Sequence, residues 1–232
     1  MTTKNINIPY LDQGFYTVAE ASKLSSIPAQ RLRRWIMGYT YTSQGVTRYS
    51  PPIWKRDFTK LEEVYFSFYD LMEARFVDAF VRHNVSLHAI RRAAEKASIR
   101  FGTSHPLSYR KFRTDGRTIF TEIADETGET ELLDLVKDQY AFKKVLSPYL
   151  YECVDFKDNI PARWRPESGE NYVVLDPKRA FGQPILHTSG TPTDIIYHNF
   201  RAGDAIGVLA RVYGETTSAI SAAIDFEVAL AA

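Results

Sequence analysis

The chain has 232 residues, 44% of them hydrophobic, and its 29 Lys and Arg residues nearly balance its 28 Asp and Glu residues. This composition supports a folded core, so it excludes a globally disordered chain, a highly charged nucleic-acid tail and a polyacidic chaperone. The single cysteine, Cys153, excludes an internal disulfide and a multi-cysteine zinc site.

Charge is divided unevenly along the chain. Residues 1–120 contain 19 Lys and Arg against 10 Asp and Glu, a net charge of +9, whereas residues 121–232 contain 10 against 18, a net charge of −8. This asymmetry indicates two differently charged working surfaces.

The sequence shows no signal for export or membrane insertion. The polar segment from Met1 to Gly14 has no basic run followed by an apolar stretch, so we expect no signal peptide. No segment approaches the ~20 apolar residues of a membrane span. We therefore expect a soluble cytoplasmic protein without a membrane partner.

Two short helices are the first clear elements. Residues 17–20, Thr-Val-Ala-Glu, have the spacing of a capping box, which predicts the start of a helix. Residues 25–28, Ser-Ser-Ile-Pro, break this helix, and a second helix is predicted from Ala29 to about Met37. Two short helices joined by a tight turn indicate a helix-turn-helix.

The pattern then becomes β-branched and aromatic. Residues 39–54, with Gly45 in a turn and a Pro-Pro stop, predict a short hairpin, or wing. Two amphipathic helices are predicted next, the first capped by Ser67 with Asp70 and the second by Ser86.

The middle of the chain predicts a series of short elements. The dipeptide Asp115-Gly116 is a strong type I′ turn signal, so we expect a hairpin over residues 107–123. An acidic loop at 124–131, a helix at 132–146, an apolar strand at 150–156 that buries Cys153, and a linker at 158–171 are expected to follow.

The last third predicts a strand at residues 172–175 and three short helices that begin at residues 191–193, 203–204 and 216–217. The expected fold is therefore α+β and mainly helical, with short β-hairpins in its middle. Its regions are a winged helix-turn-helix domain at 1–123, a connecting region and linker at 124–171, and a three-helix domain at 172–232.

The second helix is predicted to read DNA bases. A helix that enters the major groove needs long polar side chains, because Arg makes two hydrogen bonds to guanine and Gln reads adenine similarly. Basic residues in and after the wing, together with Arg91 and Arg92, are placed to bind phosphates. The alternative is a solvated basic helix face. The predicted DNA contacts are Thr17, Gln30, Arg31, Arg33, Arg34, Arg48, Lys55 and Arg56.

The run from Tyr16 to Trp35 resembles the MerR-type winged helix-turn-helix in unbroken register, and the wing and helix pair that follow are similar to that fold. The resemblance implies that the Gln and Arg residues of the second helix enter the groove and that Arg48 lies in the wing. Two features depart from the family. Ser26 stands where Gly is usual, and the long C-terminal dimerisation helix of MerR regulators is missing.

Residues 174–177, 181–185 and 190–195 form an ordered series that resembles a small antitoxin-associated domain. Gln183 replaces a Lys that is usual in that family, and the segment at 190–193 lacks the family's Arg. Proteins with this domain are typically paired with PIN-like ribonuclease toxins. The resemblance therefore implies a VapB-type antitoxin with an extended N-terminal half, and an acidic back half suits a basic partner.

The sequence offers little for catalysis. The five histidines lack the spacing of helical metal ligands, and the set His187, Ser189 and Asp194 lacks a nucleophile elbow. We predict no catalytic residue, no cofactor and no metal site.

The predicted function is that of a homodimeric antitoxin that binds double-stranded operator DNA, represses its own operon and neutralises a PIN-like ribonuclease toxin. The alternatives are a stand-alone MerR-like transcriptional regulator with a small-molecule effector, and a small hydrolase that uses His187.

Overall fold

A computed structural model describes residues 12–138, 142, 144–146, 148–166 and 172–231. The chain divides into two compact units, one of residues Thr17–Ala162 and one of Met1–Tyr16 with Arg163–Ala232. The predicted α+β, mainly helical fold is confirmed, because helices predominate and the short strands pair in small antiparallel sheets. The three-region division with boundaries at residues 123 and 171 stays a prediction.

The elements follow one another in this chain order. From residue 16 to residue 164 they are β1 (Tyr16–Thr17), α1 (Val18–Ser25), α2 (Ala29–Met37), β2 (Tyr39–Ser43), β3 (Val46–Ser50), β4 (Tyr65–Phe66), α3 (Phe68–Arg82), α4 (Leu87–Phe101), α5 (Phe112–Thr127), α6 (Thr130–Lys137), α7 (Pro148–Tyr151), β5 (Val154–Lys157) and β6 (Ile160–Trp164). After residue 172 they are β7 (Val173–Leu175), a 3-10 turn at Ala180–Gly182, β8 (Pro184–Leu186), α8 (Thr193–Arg201), α9 (Ile206–Tyr213) and α10 (Thr217–Ala231).

The predicted helix-turn-helix is confirmed. α1 begins with the predicted capping box, in which the Thr17 hydroxyl accepts a hydrogen bond from the Glu20 amide and the Glu20 carboxylate accepts one from the Thr17 amide. Between α1 and α2, Ser26 adopts a left-handed φ of 57°. This backbone conformation explains why a glycine is usual at the position.

Helices α3 and α4 begin at their predicted caps. The Ser67 hydroxyl accepts a hydrogen bond from the Asp70 amide, and the Ser86 hydroxyl accepts one from the Ala89 amide. The predicted apolar face of α3 is buried, so this helix forms the centre of its unit.

The hairpin predicted at residues 107–123 is wrong, because α5 occupies most of this segment. Gly116 does not form a turn; it lies within α5 and leaves room for the ring of Phe112. A Cβ atom on Gly116 would lie 2.7 Å from the ring of Phe112, one helical turn earlier. That ring packs edge-on against Phe80 of α3, with centroids 6.1 Å apart. Contact with α3 therefore overrides the local turn signal.

The acidic loop predicted at residues 124–131 is also wrong. α5 continues to Thr127, Gly128 ends it at a left-handed φ of 68°, and α6 begins at Thr130. The helix predicted from residue 132 is confirmed as far as Lys137. Residues 139–141, 143 and 147 lie outside the described residues.

The strand predicted at residues 150–156 begins later than expected. Residues 148–151 form the single helical turn α7, so the extended conformation starts only at Val154. Cys153 lies in the intervening turn and is half-buried, which corrects its expected burial within a strand.

The linker predicted at residues 158–171 contains a strand. Asp158 and Asn159 adopt left-handed φ values of 52° and 68°, a turn that leads directly into β6. Trp164 of β6 pairs with Leu175 of β7. Residues 167–171 lie outside the described part of the chain.

Ion pairs between α4 and α5 join oppositely charged residues from the two halves of the sequence. Arg92, Lys96 and Arg100 of α4 lie 2.5–3.4 Å from carboxylate oxygens of Glu122 and Glu126 on α5. These pairs join the basic half of the sequence to the acidic half inside one unit. The interpretation of the charge split as two separate working surfaces is therefore wrong for this part of the chain.

The three helices predicted in the last third are confirmed, as is the strand before them. β7 and β8 pair antiparallel, with Val173 opposite Leu186. Each helix contributes a buried side chain, namely Ile196, Leu209 and Ile220. None of the helices that the structure describes is long and apolar enough to cross a membrane.

Candidate nucleic-acid interface

Helix α2 is amphipathic, with one apolar face for packing and one polar face that is free to contact DNA. Its apolar face is formed by Leu32, Trp35 and Ile36, all buried. The opposite face is exposed, long and polar, and it consists of Gln30, Arg31, Arg33 and Arg34. The helix contains no acidic residue, so its exposed face is purely cationic.

The three arginines of this face differ in their surroundings. The Arg31 Nη1 atom lies 3.4 Å from Asp78 Oδ1 of α3. The Arg34 guanidinium lies over the ring of Tyr39, 5.2 Å from its centroid. The Arg33 side chain has no hydrogen bond or ion pair to any described residue. Arg33 therefore projects from α2 without a partner, whereas the other two are held by neighbouring elements.

The start of α2 is open to an anion. Pro28 occupies the cap position, no side chain caps the first turn, and an open depression of about 320 Å³ lies beside it. Gln30, Arg31 and Arg34 line this depression. Uncapped amides at a helix N-terminus, with arginines around them, are suited to a phosphate group.

The predicted wing is confirmed as the hairpin β2–β3. A two-residue turn of Gln44 and Gly45, both at positive φ, joins the strands. Arg48 is exposed on β3, opposite Tyr41, which is also exposed. The hairpin therefore presents a cation and aromatic hydroxyls to solvent.

Arg91 of α4 holds the base of the wing. Its guanidinium donates hydrogen bonds to the carbonyls of Pro52 and Pro51 and to the Ser50 hydroxyl, at 3.2, 2.9 and 3.0 Å. Its neighbour Arg92 is paired with Glu126 on α5. Both arginines thus have internal partners, and their expected role as phosphate ligands stays a prediction.

Replacing Arg91 with alanine is expected to loosen the wing. The change removes three charge-assisted hydrogen bonds, so the free energy of unfolding should fall by about 1–3 kcal/mol. Amide hydrogen exchange should accelerate across β2 and β3. Arg92→Ala is the matched control, since it removes a more exposed ion pair worth less than about 1 kcal/mol. Equal exchange in the wing of both variants would contradict the role of Arg91.

The remaining predicted DNA contacts differ in exposure and in hydrogen bonding. The Thr17 hydroxyl is engaged in the cap of α1, although the side chain is exposed. Lys55 is exposed, and Arg56 is half-buried with its Nη1 atom enclosed and without a hydrogen-bond partner among the described residues. The structure thus gathers four of the eight residues on α2, and their contact with DNA stays a prediction.

A buried polar cluster lies in the same unit, and the sequence reading missed it. His105 Nε2 lies 3.2 Å from Asp70 Oδ1 and 3.5 Å from Asp57 Oδ2. Glu73 is fully buried nearby and accepts the amides of Leu107 and Ser108, each at 2.9 Å. The sequence predicted Asp70 only as part of a helix cap, because its other partners, Trp54 and His105, are distant in sequence.

Titration in this cluster reflects its burial. Burial raises the pKa of Asp57 and of Glu73, and nearby His105 opposes the rise. Burial lowers the pKa of His105, but the hydrogen bond to Asp70 and the surrounding carboxylates outweigh it, so the net shift is upward.

The hydrolase candidates do not form a triad. His187, Ser189 and Asp194 are all exposed, and no hydrogen bond joins any two of them in the described residues. The Ser189 hydroxyl instead donates to Thr191, and Asp194 accepts the Ile195 amide. This geometry provides no activated nucleophile.

Comparison with known proteins shows similarity over most of the chain. Residues 14–94 match the family model described as "Putative DNA-binding HTH domain". The chain is 29% identical over 225 residues to "Putative antitoxin VapB45" of Mycobacterium tuberculosis, covering 92% of this chain and 94% of the relative. The predicted resemblance to a VapB-type antitoxin is confirmed. The crystal structure of Rv2018 from the same organism is similar, with a TM-score of 0.68, 28% identity and coverage of 93% and 99% of the two chains.

These similarities include both the helix-turn-helix and the C-terminal unit. The family match covers α1, α2, the wing and most of the α3–α4 pair. The likeness to VapB45 covers 92% of the chain and therefore extends into the C-terminal unit. The chain is thus similar to a putative DNA-binding domain over residues 14–94 and to a putative antitoxin over most of its length, and these likenesses favour a regulator.

Proposed function

We propose that this protein is the antitoxin of a type II toxin–antitoxin pair, acting in the cytoplasm as a homodimer. The unit of residues 17–162 binds the operator of its own operon and represses it. The unit that contains residues 163–232 binds and inhibits a PIN-like ribonuclease. The observation that supports this most directly is the exposed cationic face of α2 within a chain similar to VapB45.

On the DNA side, α2 enters the major groove and its Gln and Arg residues contact base edges. Arg48, Lys55 and Arg56 bind phosphates on either side, and the start of α1 at Thr17 lies against the backbone. One small reading head makes few contacts, so two copies on a palindromic operator supply the affinity.

The operator assignment is tested with the full-length chain. Labelled DNA from directly upstream of its reading frame should bind at least about 1,000-fold more tightly than scrambled DNA of equal length. Light scattering should give two chains per operator. Equal affinity for both DNAs would contradict the proposal, as would one chain per operator.

For the toxin-binding surface we propose the loop of residues 176–183, which combines a strained backbone with an exposed aromatic ring. Ala180 and Phe181 adopt left-handed φ values of 45° and 53°, and Gly182 follows at 80°. Such a conformation in non-glycine residues costs of order 1–3 kcal/mol each and persists only where surrounding contacts impose it. The Phe181 side chain is nevertheless 66% exposed.

Several contacts hold this loop in place. The Phe181 carbonyl accepts the Phe15 amide at 2.9 Å, and the Gly182 carbonyl accepts the Tyr16 hydroxyl at 2.5 Å. At the other end, Asp176 pairs with Arg163 at 2.8 Å. A rigid, strained loop that exposes an aromatic ring is suited to anchor a protein partner, because little entropy is lost when it binds.

Phe181→Ala is expected to weaken toxin binding by about 2 kcal/mol, or roughly 30-fold, as for an aromatic hot spot. The partner to use is the protein encoded by the neighbouring reading frame, and the measurement is its dissociation constant. Ile99→Ala is the control, because Ile99 is 86% exposed on α4 in the other unit. Unchanged toxin affinity in Phe181→Ala would exclude the loop as the docking site.

A further inference from the structure

We propose that Asp57, Asp70 and His105 form a binding site for one divalent transition-metal cation. One ligand atom from each side chain lies within 4.8 Å of the other two. His105 Nε2 is 3.2 Å from Asp70 Oδ1 and 3.5 Å from Asp57 Oδ2. Ligands at 2.0–2.2 Å around a tetrahedral ion are separated by about 3.3–3.6 Å, so His105 Nε2 already lies at nearly the required spacing from each of the two carboxylate oxygens.

The charge of the cluster points to the same ligand. Asp57, Asp70 and Glu73 contribute three carboxylates, and His105 is their one ion-pair partner in the described residues. Asp70 and Glu73 are fully buried, and His105 is 8% exposed. His105 carries at most one positive charge, whereas a dication between Asp57 and Asp70 would compensate both of these carboxylates. Buried charge without compensation is costly, and a dication would remove that cost.

The surrounding hydrogen bonds hold the ligands as metal sites require. Asp70 Oδ1 accepts the Trp54 indole N–H at 2.7 Å, and Asp70 Oδ2 accepts the Ser67 amide at 3.0 Å. His105 Nδ1 lies 3.1 Å from the Ser104 hydroxyl. A bound ion would take the Nε2 lone pair in place of the hydrogen bond to Asp70, while the ring proton on Nδ1 donates to the Ser104 hydroxyl, the arrangement typical of ligating histidines.

The donor set selects the class of ion. One imidazole with two carboxylates favours Zn²⁺ or Co²⁺ over Mg²⁺ and Ca²⁺, which prefer all-oxygen sites. Asp57 is half-buried and provides the access route, and a water would complete the coordination. The ion would connect the segment after the wing, the first turn of α3 and the segment between α4 and α5.

Metal binding is tested on the full-length chain after chelator treatment and dialysis. Titration with Zn²⁺ by calorimetry should show one equivalent per chain, and Co²⁺ should give the visible absorption of a tetrahedral site. Saturating Zn²⁺ should raise the unfolding midpoint, because it binds the folded state. DNA plays no part in these readouts, so the result is independent of the proposed antitoxin function.

Variants identify the ligands. Asp57→Asn and His105→Gln should each weaken Zn²⁺ binding by at least about tenfold. Asp57 is the less buried of the two, so Asp57→Asn keeps the test valid if His105→Gln does not fold. His83→Gln is the control, because His83 is exposed and its side chain has no partner among the described residues. Absence of saturable binding, or binding that Asp57→Asn leaves unchanged, would overturn the site.

Discussion

Arg33→Ala is expected to weaken binding to operator DNA by about 1–3 kcal/mol, or roughly 5- to 150-fold. Arg33 is exposed on α2, and its side chain makes no hydrogen bond or ion pair within the described residues. Its guanidinium can therefore reach a guanine without breaking an internal contact. The measurement is fluorescence anisotropy of labelled operator DNA over a series of salt concentrations. A lost base contact lowers affinity while leaving the salt dependence nearly unchanged.

Two controls separate base reading from general charge. Arg211→Ala removes the same charge from an exposed position in the other unit, so its operator affinity should equal that of the parent. Arg48→Ala should instead reduce the salt slope by about one, as expected for a lost phosphate contact. If Arg33→Ala loses operator and unrelated DNA affinity equally, Arg33 does not read a base.

The roles of the arginines on α2 show where sequence reasoning ends. A 3.6-residue period is enough to separate Arg33 from the buried Leu32 and Trp35. The same pattern treats Arg31 and Arg33 alike. They differ because Asp78, 47 residues further along the chain, lies beside Arg31. Such a pairing depends on how α2 and α3 pack, which local spacing does not contain.

Local signals predicted the front of the chain well. The cap of α1 and the turn at Gly45 depend on residues at most four positions apart, and both form as expected. The turn signal at Asp115-Gly116 is equally local, yet the segment is helical. There the aromatic packing of Phe112 on Phe80 decides the outcome, and its partner lies on another helix.

The polar cluster was beyond prediction for a related reason. Asp70 and His105 are 35 residues apart, and neither lies in a recognised metal-ligand motif. Burial brings them together because α3 forms the centre of its unit. The division of charge between the two halves of the sequence predicted two separate surfaces. Arg92 and Glu126 lie in different halves but contact each other, so charge counted along the sequence does not give the charge of a surface.

Gly38→Ala is expected to disrupt the connection between α2 and the wing. Gly38 has φ 75° and ψ 176°, a region that is essentially restricted to glycine and costs other residues of order 1–3 kcal/mol. An added Cβ would also lie 2.6 Å from the Ser50 carbonyl oxygen, which belongs to the backbone of β3. The free energy of unfolding should therefore fall by more than the backbone strain alone, and operator binding should weaken with it.

Gly45→Ala provides the matched comparison for this change. Gly45 lies at the tip of the wing with a φ of 76°, but an added Cβ there would have no atom within 4 Å. It therefore incurs the left-handed backbone strain without the steric conflict. Chemical denaturation should show a larger loss for Gly38→Ala than for Gly45→Ala. If the two losses were equal, the close approach of β3 would not be what requires glycine at residue 38, and backbone conformation alone would explain it.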